Sequence, residues 1–169
     1  MKYTSAIIES ANHFGLEPLL VAAVIWQESK GDQGAIRYES GFERRYISKK
    51  DHEALGGHWP TKDYEILFEE NMRSTSHGLM QIMLQTAIDH GFTGTVAELY
   101  DVQINIHFGC KVLFDYRRAV MKANPEANGA QVKSLMLLKY NGGGNPLYPK
   151  EVFGHISSGA AAKLLGRGG

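Results

Sequence analysis

The stretch Pro18-Leu19-Leu20-Val21-Ala22-Ala23-Val24-Ile25-Trp26-Gln27-Glu28-Ser29-Lys30-Gly31 decides how the rest of this chain is read. Its first nine residues are apolar on every side. That is too short a run for a bilayer and too uniform for a surface helix, so it predicts a helix buried all round. Pro18 suits a first helical turn and Gly31 a stop. Glu28 stands at the end of this apolar rod. A carboxylate at the edge of a core loses hydration when it ionises, so its pKa rises toward the range a general acid needs. A solvated Glu in a last helical turn, the commoner state of this residue, fits the same residues.

Around that helix, 169 residues suffice for one domain, 1–169, with a core that needs no staples. The 18 basic and 18 acidic side chains balance, so no global field pulls the chain toward nucleic acid or an anionic membrane, and partner choice must be local. The single cysteine, Cys110, excludes an internal disulfide and a multi-cysteine metal site, and its apolar neighbours mark it as a small core residue. No run is long enough to cross a bilayer, and the first residues, interrupted by Glu9, show no secretory signal.

Along the chain, Thr4 is expected to cap a first helix that carries Ala6, Ile7, Ala11 and Phe14 and closes at Gly15. Residues 32–75 lose periodicity but keep Tyr38, Phe42, Tyr46, Trp59, Tyr64 and Phe68, which predicts an ordered, irregular excursion with short helices near 44–48 and 62–70. Any strands belong there. Leu79, Ile82, Met83 and Ala87 recur at helical spacing and predict a helix across residues 76–91. A short helix at 96–100 leads to Asp101, a cap for a long helix whose buried face is Val102, Ile106, Cys110, Leu113, Tyr116 and Val120 and which Asn124-Pro125 ends. Helices at about 130–140 and 148–157 follow, then a glycine-rich tail from residue 159 that is expected to fray. The fold class is all-α, a mainly helical globule with one irregular insertion.

Four segments form one pattern: Glu28-Ser29 after the buried helix, Gly78-Leu79-Met80-Gln81, Asn105-Ile106 at the start of the long helix, and Tyr140-Asn141-Gly142-Gly143. With Tyr148 and Val152 on the last predicted helix, they resemble, in order, the motifs of the lysozyme-like lytic transglycosylases, relatives of goose-type lysozyme. The resemblance spans most of residues 16–158 and implies cleavage of the MurNAc-GlcNAc β-1,4 bond of peptidoglycan without a cofactor. Glu28 would protonate the leaving oxygen, then accept the proton of the muramoyl C6 hydroxyl as that oxygen attacks the anomeric carbon, giving a 1,6-anhydro end. The substrate's own N-acetyl group can stabilise the cation, so no second carboxylate is required.

By the same resemblance Ser29, Gly78, Met80, Gln81, Tyr140, Asn141 and Tyr148 would contact substrate or the Glu28 carboxyl. Ser29 would orient the N-acetyl group, Gly78 would admit close approach, and Met80 and Gln81 would line the cleft. Tyr140 would bond Glu28 or the N-acetyl carbonyl, Asn141 would donate to a substrate carbonyl, and Tyr148 would reach the carboxyl region. Each has a plainer reading: a helix-end Ser bonded to a carbonyl, a helix-start Gly, a core Met, a helix end at Tyr140-Asn141.

The sequence departs from the family pattern in one respect. Glu28 and Gly78 stand 50 positions apart, far more than the family usually places there. The extra length holds Asp32, Glu39, Glu43, Asp51, Glu53 and Asp63. Of these Glu39 is the candidate second acid of an inverting hydrolase, or else the partner of Arg37, Arg44 or Arg45. Lys139 stands where the family often has a small residue. His52 and His58 with Asp51 and Glu53 match no zinc spacing, so no metal is expected. The expected partner is a glycan strand, met by a monomer at the cell wall. A phage lysis enzyme, a secreted effector or a chain shorn of its leader would all fit, and so would a non-catalytic wall-binding module on the same scaffold.

Overall fold

A computed structural model describes residues 3–48 and 52–166. In chain order it has α1 (Thr4–His13), α2 (Pro18–Ser29), β1 (Ile36–Tyr38), the short α3 (Ser40–Phe42) running into a π-helical turn at Glu43–Ile47, and a 3-10 turn at Glu53–Leu55. There follow α4 (Asp63–Arg73), β2 (Thr75–His77), β3 (Ile82–Met83), α5 (Leu84–Asp89), a 3-10 turn at Val96–Tyr100, α6 (Val102–Ala123), α7 (Gly129–Tyr140), α8 (Tyr148–Ser157) and α9 (Ala160–Leu164). The architecture is the mainly helical, lysozyme-like one that the sequence predicts. Among the described residues no helix is long and apolar enough to cross a membrane.

α2 is the axis of the core. Leu20 through Ile25 are all buried, because α1, α8 and α9 pack around the helix and leave no face for water. Pro18 occupies its first turn, and the left-handed cap falls on Lys30, at φ 57°, one residue before the expected Gly31. α6 is the second support. Asp101 accepts from the amides of Gln103 and Ile104, and the helix buries Ile106, Cys110, Leu113 and Val120 against α1 and α7. Burial pushes the Cys110 thiol up to about 12, as suits a core residue rather than a nucleophile.

Four local expectations need correction. Thr4 does not cap α1: it is the first helical residue, after Tyr3, and its hydroxyl donates to the Leu164 carbonyl. The segment expected to fray from residue 159 is helical over Ala160–Leu164, and Ala161 and Leu165 are buried because α9 packs on α2 and α8. No helix spans 76–91: β2 and β3 form an antiparallel hairpin, with His77 opposite Ile82, and α5 starts only at Leu84. Strands therefore reach beyond residue 75. β1 pairs with β2, Ile36 opposite His77 and Tyr38 opposite Thr75, giving the order β1-β2-β3.

The excursion is ordered by a buried cation. Arg73, at the end of α4, is 1% exposed. Its guanidinium donates to the carbonyls of Gly56 (2.9 Å) and His58 (3.2 Å), to Gln85 Oε1 (2.9 Å) and to Glu69 (2.8 Å), and it lies 3.9 Å from the Trp59 ring centre. Gln85 in turn donates to the Leu55 carbonyl at 2.8 Å, which ties the excursion to α5.

Candidate active site

Glu28 sits half-buried in the last turn of α2, where the apolar rod ends. Burial removes hydration from its carboxyl and raises its pKa; the Tyr148 hydroxyl and the positive charge of Arg37 push back, and Glu39 adds a smaller upward push. Tyr148, the first residue of α8, is 2% exposed and donates its hydroxyl to Glu28 Oε1 at 2.5 Å. Burial and the charge of Glu28 hold the Tyr148 phenol far above its ordinary pKa, so it remains a donor. Grouped with the substrate contacts and expected to reach the carboxyl region, Tyr148 holds the carboxyl through its hydroxyl and, at 2% exposed, offers almost no surface to a ligand. With Oε1 engaged, Oε2 is the oxygen left to exchange a proton with a ligand.

The Gly78-Leu79-Met80-Gln81 tetrad does not open a helix. It is the turn of the β2–β3 hairpin, with φ +72° at Gly78 and +48° at Gln81, backbone angles that no right-handed helix contains. A Cβ at Gly78 would lie 2.5 Å from Asn105 Nδ2 and 2.9 Å from the Leu99 carbonyl oxygen, so the glycine serves close packing on α6 rather than approach of a sugar. Asn105, 1% exposed, saturates the turn: Oδ1 accepts from Met80 N (2.8 Å), and Nδ2 donates to the carbonyls of His77 (2.9 Å) and Leu99 (2.8 Å).

Met80, expected to line the cleft, is fully buried, and its thioether fills the space above Gly109, where a Cβ would meet Sδ at 2.3 Å. Ser29 also turns inward. Its hydroxyl lies 2.7 Å from the Leu79 carbonyl and 3.2 Å from that of Ile25, and accepts from Gly31 N, so it clips α2 to the hairpin rather than presenting itself to a ligand. Gln81 Nε2 is spent on the carbonyls of Ala35 (3.1 Å) and Gly78 (3.0 Å), which leaves its partly buried side chain only the oxygen to offer. Tyr140 does not bond Glu28. Its hydroxyl donates to the Met80 carbonyl at 2.8 Å, although the charge of Glu28 is felt there and, after burial, raises the phenol's pKa.

Asn141 caps α7 and accepts from the Asn145 amide through Oδ1 at 2.8 Å, so its NH2 is the end available to a ligand. Glu39 follows β1 and is ion-paired with Arg37 Nε. The charges of both act on the Glu28 carboxyl; Arg37 reads from the sequence as a partner for Glu39 only, and the i, i+2 spacing of the two in an extended segment is the signal that puts them on one face. Glu43 is bonded by the Ser48 hydroxyl and Asp32 caps its own turn at Gly34. Asp51 lies outside the described residues. His52 stacks on Trp59 at 4.0 Å and bonds Glu70 at 3.2 Å, a packing role. A surface hollow of about 750 Å³ beside Asn124, Pro125 and Leu135 offers only the exposed Glu126 as an ionisable group, so volume and chemistry do not coincide there.

A helical globule with a small sheet, in which a desolvated glutamic acid is held by a tyrosine, has the make-up of the lysozyme-like glycan-cleaving proteins. A model of the transglycosylase SLT domain matches residues 5–151, and the chain belongs to that family. Its activity is accordingly that of a peptidoglycan lytic transglycosylase, a breaker of glycosidic bonds at the cell wall. No curated protein and no solved structure matches the chain.

Proposed function

We propose that Glu28 carries both proton transfers of this reaction at the MurNAc-GlcNAc β-1,4 bond. The observation behind the reading is the carboxyl itself: its pKa is raised by burial, while one oxygen is pinned by Tyr148. Protonated at Oε2, Glu28 gives its proton to the glycosidic oxygen, and the GlcNAc C4 hydroxyl departs. Positive charge grows at the muramoyl anomeric carbon, where the substrate's N-acetyl oxygen stabilises it, and the Asn141 NH2 is the donor that can hold that acetamido group. The C6 hydroxyl then attacks the same carbon and returns its proton to Glu28. No water is consumed, the acid is regenerated, and the product ends in a 1,6-anhydro ring. Tyr148 stabilises the carboxylate that exists between the two transfers.

Glu28, Tyr148, Tyr140 and Asn141 come from one copy of the chain, so the reading takes a monomer as the working unit and the periplasmic or outer face of the cell as its place. The charge of Glu39 acts on Glu28, and that is what favours the second reading, an inverting hydrolase with Glu39 as base. Its pairing with Arg37 ties up the carboxylate that would have to hold the water.

The test is Glu28→Gln against wild type on purified sacculi, with mass spectrometry of the released muropeptides. Anhydro ends from wild type and none from the variant are expected. Reducing ends, one water heavier, that vanish in Glu39→Gln would establish the hydrolase instead. Sacculus binding without turnover by wild type would reduce the protein to a wall-binding module.

A further inference from the structure

The polar side chains of Gln27, Asn145, Glu151 and His155 form a series beside Glu28 that the chemistry above does not use. Glu151, on α8 one turn after Tyr148, accepts through Oε2 from Gln27 Nε2 at 3.1 Å and from Asn145 Nδ2 at 2.9 Å. Gln27 is the neighbour of Glu28 on α2, and its Oε1 lies 2.7 Å from His155 Nε2. Because Gln27 Nε2 is donating to a carboxylate, its Oε1 must be the acceptor there, which sets His155 as the Nε2–H donor. On the other side, Asn145 donates its backbone N–H to Asn141 Oδ1, and its own Oδ1 accepts from Leu147 N at 2.9 Å. Every donor and acceptor in this series has one consistent orientation, and the carboxylate of Glu151 is its only charged acceptor.

The segment so tied has little side-chain packing of its own. Residues 141–147 include Gly142 and Gly143 at φ +72° and +76°, and a Cβ at Gly142, Gly143 or Gly144 would touch nothing within 4 Å. Packing therefore contributes little to their position, and the glycines have more conformational freedom to lose than any other residue. Gly142 N and Gly143 N donate to the carbonyls of Lys139 and Leu138 at the end of α7; beyond them the loop is tied through Asn145, whose side-chain NH2 donates to Glu151.

We propose that Glu151 is a positioning residue: it fixes the Asn141–Leu147 loop to the catalytic end of α2 and so presents the Asn141 NH2 to the glycan's acetamido carbonyl. The glycan role of Asn141 rests on the function proposed above, whereas the loop-fixing role does not. Glu151 makes no hydrogen bond to Glu28, whose Oε1 is held by Tyr148, so the role assigned to it is substrate placement.

The experiment compares wild type, Glu151→Ala, Glu151→Gln and Asn141→Ala by kinetics on sacculi and by backbone 15N relaxation. In Glu151→Ala, KM rises about 3- to 10-fold, the change expected of one lost hydrogen bond. The kcat and the pH limb set by Glu28 stay in place, and order parameters across Gly144–Leu147 fall from about 0.85 to below about 0.6. Glu151→Gln, whose amide oxygen can still accept from both partners, restores most of the KM and the order. Unchanged order parameters in Glu151→Ala overturn the proposal whatever the activity does. A rise in KM for Asn141→Ala with none for Glu151→Ala overturns it as well. Loss of loop order in Glu151→Ala together with an unaltered KM for Asn141→Ala leaves Glu151 as the loop's anchor and removes the glycan role of Asn141, a failure of the underlying reading alone.

Discussion

Replacing Tyr148 by Phe removes one hydroxyl behind Glu28 and leaves the buried ring in place. In the wild type that hydroxyl donates to Oε1 at 2.5 Å and lowers the Glu28 pKa against the larger upward push of burial. A hydrogen bond to a charged group is worth about 1.5–3 kcal/mol and one pKa unit about 1.4 kcal/mol, so its complete loss corresponds to about 1–2 units. Glu28 retains some contact with solvent, and water replaces part of the lost donor, which brings the expected shift to about 1 unit. The sign is upward, because the charged form is the one that loses a partner. A general acid works below its pKa, so the descending limb of kcat/KM against pH moves to higher pH by about 1 unit. Initial rates of muropeptide release from sacculi across the acid to mildly alkaline range read this directly, and a carbon-13 titration of the Glu28 carboxyl reads the same shift without turnover. A limb that stays in place or moves to lower pH, in a variant with the wild-type melting profile, would refute the idea that Tyr148 stabilises the ionised acid.

Two further outcomes follow from the same geometry. Glu28→Gln keeps an acceptor for Tyr148 while removing a charge whose burial is unfavourable, so its Tm at neutral pH should equal or exceed that of wild type. The folded pKa of Glu28 lies above the ordinary 4.5, so the wild type gains stability as pH falls through that folded value, and the gap closes once pH drops below 4.5; calorimetry showing the gap widening in acid would contradict the assignment. Gly78→Ala meets two costs at once, about 1–2 kcal/mol for φ +72° and a further clash with Asn105 and the Leu99 carbonyl. A loss of ~5–15 °C in Tm is expected at about 2–4 °C per kcal/mol for a chain of this size, and a neutral result would show that the turn can move away from α6.

The helical frame was legible because its signals are local. The unbroken apolar run before Glu28 needed no partner to be read as buried, and Asp101 and Asn124-Pro125 bracket α6 where it begins and ends. The β2–β3 hairpin was not legible, since its determinant is the Asn105 side chain 25 positions beyond Met80, and the spacing of Leu79, Ile82, Met83 and Ala87 imitates a helix. At the site, the acid and its neighbourhood could be read, but orientation could not. Ser29 and Met80 carry suitable chemistry and spend it inside the protein, and Tyr140 and Tyr148, alike by type, bond different atoms because only Tyr148 opens a helix that faces the end of α2. Arg73 shows no local hint of its role: an arginine at a helix end reads as a surface cation until the carbonyls of residues 56 and 58 are seen to converge on it.

The bond from Ser29 Oγ to the Leu79 carbonyl bears on how long the excursion can be. It closes the long excursion at its neck: the chain leaves the catalytic helix and returns to the hairpin at one point, with Asn105 bracing the return from behind. A loop whose two ends are fastened by residues outside it can grow at small thermodynamic expense, about 0.6 kcal/mol for each doubling of a flexible length. Changes in the length of this rim thus cost little, and the acid and the turn opposite keep their registration through them.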